Sequence, residues 1–158
     1  MTPASMTTAL ERLESLRLEL PVLGAPRYAY EASVRWGNLL FVSGQISRTA
    51  AGEVLTGRLG DNIDTTAGAS AARVSALNLL ARLHDAVGLD KIERILKITT
   101  WVTSTHDFVD QPTVADGASR LLPDVLGDAG RHARTALPAH VLPAGALVEI
   151  EATVAVRD

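Results

Sequence analysis

The sequence predicts an α+β domain: a sheet carrying its helices on one face. Three observations lead there. One long stretch has helical periodicity and a stop signal at each end. A second such stretch is interrupted by a proline. The remaining apolar runs are short and flanked by turn residues. In order they read helix, two or three strands, helix, strand, helix, two strands, and strands interleaved with long helices in this way pack as a sheet under a helical layer. The 158 residues suit a single domain spanning residues 1–158, with residues 1–8 a loose leader. A chain of this size buries roughly two-thirds of its extended surface. Helices on one side leave the other sheet face to be covered, and a second subunit is the natural cover.

Residues 8–20 place Leu10, Leu13, Leu16 and Leu20 at three- and four-residue spacing, with Glu11, Arg12, Glu14 and Arg17 between them. That is a short amphipathic helix, stopped by Pro21. Strands are expected over residues 30–34 and 39–42, with Gly37-Asn38 as the turn between them and Ser43-Gly44-Gln45 closing the second. A short extended segment follows at Val54-Leu55. The clearest helix starts after Asp64-Thr65-Thr66, any of which suits a cap, and runs to Val87. Val74, Leu77, Leu80, Ala81 and either Leu83 or His84 form its apolar face, with Gly88 as its stop. Residues 94–103 are strand-rich. A helix over residues 113–126 unites Val114, Ala118, Leu121, Leu122 and Val125 on one side, and Pro123 predicts a kink or early end. The final strands are residues 134–141 and 146–156, joined by a turn at Pro143-Ala144-Gly145.

Composition narrows the function. A net charge of −3 lacks the basic footprint of a general nucleic-acid binder. Without cysteine, disulfides, thiolate nucleophiles and Cys-ligated zinc are excluded. No apolar run approaches the ~20 residues of a membrane helix, and Met-Thr-Pro-Ala-Ser-Met-Thr-Thr does not read as a secretory signal. A cytoplasmic location is therefore expected. His84, His106, His132 and His140 are scattered, so neither a Ser-His triad nor a histidine metal site is expected, and no metal is assigned. Gly57, Gly60 and Gly68 do not make a phosphate-binding pattern. Asp107 and Asp110 read as helix-start carboxylates.

The chemistry concentrates near the C-terminus. Gly130-Arg131-His132-Ala133-Arg134-Thr135 opens an apolar strand, and Glu149 follows Arg134 by fifteen residues, in Val-Glu-Ile-Glu-Ala. Charged residues set among apolar ones are rarely buried without partners. A guanidinium is a rigid fork that grips a planar carboxylate with two parallel hydrogen bonds. A site for a small carboxylate-bearing ligand is the functional reading, with Glu149 available for proton or water chemistry. The structural reading is an interface arginine paired with Glu149 or Glu151, two residues that alternation puts on one face. Arg131 reads as a surface or interface charge. His132 is expected to point the opposite way from the arginines and to be structural.

Gly37-Asn38-Leu39-Leu40-Phe41-Val42-Ser43-Gly44-Gln45-Ile46, Arg131-His132-Ala133-Arg134 and Val148-Glu149-Ile150-Glu151-Ala152 together resemble the RidA/YjgF (L-PSP) family. The match is to its longer branch, labelled a YjgF/chorismate-mutase-like "putative endoribonuclease", and covers residues 10–156. The resemblance implies a chorismate-mutase-like fold: a mixed six-stranded sheet, two main helices on one face and an extra N-terminal helix. It implies a homotrimer with ligand sites between subunits. It also implies cofactor-free hydrolysis of reactive enamines and imines, such as 2-aminoacrylate, to 2-keto acids and ammonia. On this resemblance Arg134 would hold the substrate carboxylate and Glu149 would order the attacking water. Tyr30 would line the cleft, with Ser43 and Gly44 at its edge. Ala136 stands where the family often has cysteine, and residues 104–112 follow the longer branch. A non-catalytic keto-acid-binding or regulatory trimer is the alternative function. An endoribonuclease fits the acidic balance less well.

Overall fold

The computed structural model describes residues 7–158, so most of the expected leader lies outside the described residues. Helix α1 spans Ala9–Ser15, and Thr8 caps it through a reciprocal capping box with Glu11. It ends well before Pro21. The N–H groups of Arg17 and Leu18 donate to Glu14 and Leu13 carbonyls at 2.9 Å each, with Arg17 in the left-handed region at φ 56°. This is a Schellman stop, and it lets Leu18 and Leu20 fold back onto the core.

Strand β1 is Ser33–Trp36 and β2 is Leu39–Ile46. The two-residue turn at Gly37-Asn38 pins Trp36 against Leu39, so β1 runs up to the turn and residues 30–32 fall outside it. Nor does β2 stop at Ser43-Gly44. It continues to Ile46 through an irregularity between Val42 and Gln45, so Ser43-Gly44 form a bulge inside the strand.

Helix α2, Thr65–Val87, starts where Asp64 accepts from the Ala67 N–H at 2.8 Å. Its buried face holds Ala72, Ala76, Leu79, Leu80 and Leu83, whereas His84 is exposed. Strand β3, Ile92–Thr103, precedes helix α3, Gln111–Leu126. Pro123 does not end α3: it forfeits only its own N–H bond to the Ser119 carbonyl, and its carbonyl still accepts from the N–H of the Gly127 cap. Asp110 occupies the N-cap position of α3 without a side-chain bond, and Asp107 instead accepts from the Thr105 hydroxyl at 2.7 Å. Strands β4, Ala133–Ala139, and β5, Val148–Val156, complete the sheet.

Among the described residues the sheet has five strands in the order β1-β2-β5-β3-β4, one fewer than expected. Val54 and Thr56 make only isolated bridges, to Arg48 and Ala146, so that segment adds no sixth strand. Only β3–β4 is parallel, as befits a pair joined by a crossover helix. Helices α2 and α3 pack on one face, where Ile95, Ile98, Val102, Ile150 and Val154 are buried. The other face stays open and leaves Val34, Trp36 and Phe41 exposed.

The helical layer depends on one close approach. A Cβ at Gly117 would lie 2.0 Å from the Ala69 carbonyl oxygen. Backbone cannot swing aside as a side chain can, so Gly117→Ala must separate α2 from α3. It is expected to destabilise by about 1–3 kcal/mol, read as a lower denaturant midpoint.

Candidate functional site

The structure brings four of the five nominated residues to one neighbourhood. The Ser43 N–H donates to Ala32 O at 3.0 Å, and Ser43 Oγ donates to Glu31 O at 2.7 Å. These bonds lash the preceding segment, with its half-exposed Tyr30, beside the bulge. The Ser43 hydroxyl proton is thereby committed to anchoring backbone. Glu149 is opposite Ile46 on the open face, and its side chain lies across Gly44. A Cβ at Gly44 would stand 2.2 Å from Glu149 Oε1 and 2.9 Å from its carboxyl carbon. Glycine here makes room for the carboxylate.

Glu149 is half-buried, and its pKa is raised above the ordinary 4.5, first by burial and then by repulsion from Glu151. The folded protein therefore binds this proton more tightly than the unfolded chain does. Stability falls as pH rises from the unfolded value through the raised folded one. Glu149→Gln is expected to be more stable than wild type at pH 7.5 and to show no such gain at pH 4, as paired thermal melts would show.

Beside Ser43 the open face forms a hollow of about 300 Å³, lined by Val34, Phe41, Lys97, Thr99, Glu151 and Thr153 among others. Lys97 Nζ reaches Thr135 Oγ1 at 2.8 Å. Lys97 and Thr99 escaped sequence reading, although their spacing of two on a strand puts them on one face.

Arg134 is elsewhere. It is opposite Ile98, whereas Glu149 is opposite Trp101, which in turn pairs with Leu137. Two strand spacings and three residues of stagger put about 10 Å between them in each direction. They also point to opposite faces. Ile98 and Arg134 face the helices, while Glu149 faces out. Asp116, not Glu149 or Glu151, is the ion-pair partner of Arg134: Nη1 lies 2.8 Å from Asp116 Oδ1, with the Arg134 side chain 22% exposed. Nη1 also donates to Ser119 Oγ at 3.1 Å and Nη2 to Pro112 O at 3.3 Å.

His132 shares this side with Arg134, contrary to the sequence reading. Residues two apart in extended chain face the same way. Its Nε2 lies 2.9 Å from Ser119 Oγ and its Nδ1 2.7 Å from Gly130 O. Burial, helped by Arg134 and Arg94, lowers its pKa despite the Gly130 bond. Arg131 is a surface charge, 3.9 Å from Asp128. Asp116 and Ser119 were missed from sequence. Their only signal is three-residue spacing on a crossover helix that must pack beside the strand bearing Arg134.

No helix is long and apolar enough to cross a membrane among the described residues.

Residues 10–154 match the profile of a family described as "YjgF/chorismate mutase-like, putative endoribonuclease". Protein TCP17 of Trypanosoma cruzi is 39% identical over 148 residues, covering 92% of each chain. A solved "putative endoribonuclease" from Shewanella oneidensis MR-1 superposes with a TM-score of 0.89 at 32% identity, covering 94% of this chain and 99% of that one. E. coli TdcF, solved with bound serine, has a TM-score of 0.58 at 24% identity, covering 85% of this chain and 92% of that one.

Proposed function

Because the chain belongs to the RidA/YjgF family, the YjgF/chorismate mutase-like "putative endoribonucleases", and has their α+β fold, we propose that it hydrolyses small reactive 2-imino acids to 2-keto acids and ammonia. The observation that carries this reading is the half-buried Glu149 carboxylate held over Gly44, with its proton affinity raised. Burial and Glu151 make this carboxylate a better proton acceptor than an exposed one, the property a group that takes a proton from water and returns it needs. Arg134 supplies the complementary half, a fork for the substrate carboxylate.

The chemistry needs only these parts. 2-Aminoacrylate is protonated on its methylene carbon to give the iminium. Water adds to the C=N carbon while Glu149 takes the water's proton. Glu149 returns that proton to nitrogen, the C–N bond breaks and ammonia leaves, while the carbinol hydroxyl gives its proton to solvent, replacing the solvent proton taken up at the methylene carbon and leaving pyruvate. Orientation contributes most of the acceleration, because these imines already hydrolyse in water.

Arg134 and Glu149 face opposite ways in one chain, so the site is composite: Arg134 of one subunit meets Tyr30, Ser43, Gly44 and Glu149 of the next. A homotrimer closes three such clefts and covers the open faces with their exposed Val34, Trp36 and Phe41. TdcF holds serine, an amino acid with a carboxylate of the kind Arg134 suits. Binding without turnover, of a keto acid for example, is the second reading supported by the same fork. Ribonucleolysis draws no support from this surface, where Glu149 and Glu151 would repel phosphate.

Co-expression tests the composite site. Arg134→Lys and Glu149→Gln are each expected to keep about a hundredth of wild-type activity or less. Mixed trimers of the two restore roughly a quarter of the clefts by random assembly. Keto-acid release from the mixture well above that of either variant alone is the expected result. Release no higher than theirs, with trimers formed, would mean that the two residues serve the same cleft from one chain or serve none.

A further inference from the structure

We propose that Asp116 and Ser119 are positioning residues that clamp one corner of Arg134 and leave its opposite edge as an oriented fork for the ligand carboxylate. This rests on Arg134 being the carboxylate anchor.

The donor count carries the inference. A guanidinium has five N–H groups in a fixed plane. Nη1 spends both of its hydrogens, on Asp116 at 2.8 Å and Ser119 at 3.1 Å, and Nη2 spends one on Pro112 O at 3.3 Å. Pro112 and Asp116 stand one helical turn apart on α3, and their oxygens take one hydrogen each from Nη2 and Nη1. The Nε–H makes no hydrogen bond among the described residues. It shares the remaining edge with the second Nη2 hydrogen, and those two parallel donors match the two oxygens of a carboxylate. A competing carboxylate would occupy that edge. Asp116 instead takes a single corner, and its other oxygen lies 3.8 Å from Arg120.

Ser119 is itself held. Its oxygen accepts from Arg134, so its one proton points to His132 Nε2 at 2.9 Å. His132 must then carry its own proton on Nδ1 and donate it to Gly130 O at 2.7 Å. The lowered pKa of His132 keeps this neutral tautomer in place. From the Gly130 carbonyl through His132 and Ser119, each donor has one acceptor, which leaves the guanidinium plane little freedom to rotate. A fork that is already oriented loses less freedom when the ligand arrives.

The test uses the full-length protein, pyruvate titration by calorimetry, and KM and kcat for keto-acid release. Asp116→Ala and Ser119→Ala are each expected to weaken pyruvate binding and raise KM about tenfold, and to lower kcat as well, because a loosened fork no longer fixes the plane of the imine. Asp116→Asn keeps an acceptor oxygen and is expected to restore most of the binding. In an Arg134→Lys background the same alanine changes should add little, because the clamped group is already gone. A purely structural role would lower melting temperature and leave KM unmoved, or weaken binding equally in both backgrounds; either result overturns the clamp. Loss of binding in Arg134→Lys but not in Asp116→Ala or Ser119→Ala refutes the clamp alone. If Arg134→Lys binds pyruvate like wild type, the anchor falls and the clamp with it.

Discussion

Arg134→Lys is expected to lose about a hundredfold in kcat/KM for imine hydrolysis, a cost of about 2–3 kcal/mol, as for a charge-assisted hydrogen-bonded contact. Lysine keeps the charge and still reaches toward Asp116, so the fold should survive and melting temperature change little. What it lacks is the planar edge. A point donor attracts a carboxylate without fixing the plane in which the imine carbon lies. The loss should appear in the binding of saturated keto acids as well as in turnover, because the fork acts on the ligand's carboxylate and not on its reacting bond. Unchanged pyruvate binding would remove Arg134 from the site.

Gly44→Ala is expected to match Glu149→Gln in turnover, each losing roughly a hundredfold or more, the usual scale for removing a general acid–base group. The added methyl would stand 2.2 Å from Glu149 Oε1. The clash is with the far end of a flexible side chain, so Glu149 swings away and the strand persists. Stability should therefore be nearly unchanged while the proton acceptor is displaced. Combining Gly44→Ala with Glu149→Gln should cost no more than either alone, since both remove the same group. Full activity in Gly44→Ala would show that the pose of Glu149 over the bulge is irrelevant to chemistry.

The two long helices were readable because their signals are local, whereas α1 stopped at Ser15 and left Leu10 and Leu16 exposed. Asp64 and Gly88 bracket α2, and its leucines recur on the buried face. Strand limits depended on pairing instead: the turn at Gly37-Asn38 drew β1 to Trp36, and β5 drew β2 on past the bulge. Arg134 and Glu149 stood out in the sequence as charges among apolar neighbours. Their fifteen-residue spacing said nothing about β3 lying between their strands, nor about their facing opposite ways. Side-chain alternation fixes faces within a strand but not between strands. Asp116 and Ser119 showed in the sequence only as a three-residue spacing, since their meaning comes from where α3 lies against β4.

The most direct measurement is pyruvate release from 2-aminoacrylate generated in situ, followed against the uncatalysed rate with homogeneous wild-type protein and Arg134→Lys as the control. The expected result is a rate above background that saturates with protein and falls in the control to near the uncatalysed value. Wild-type protein that binds pyruvate through Arg134 yet adds nothing to the rate, across several 2-imino acids, would contradict hydrolysis and make this a binding protein.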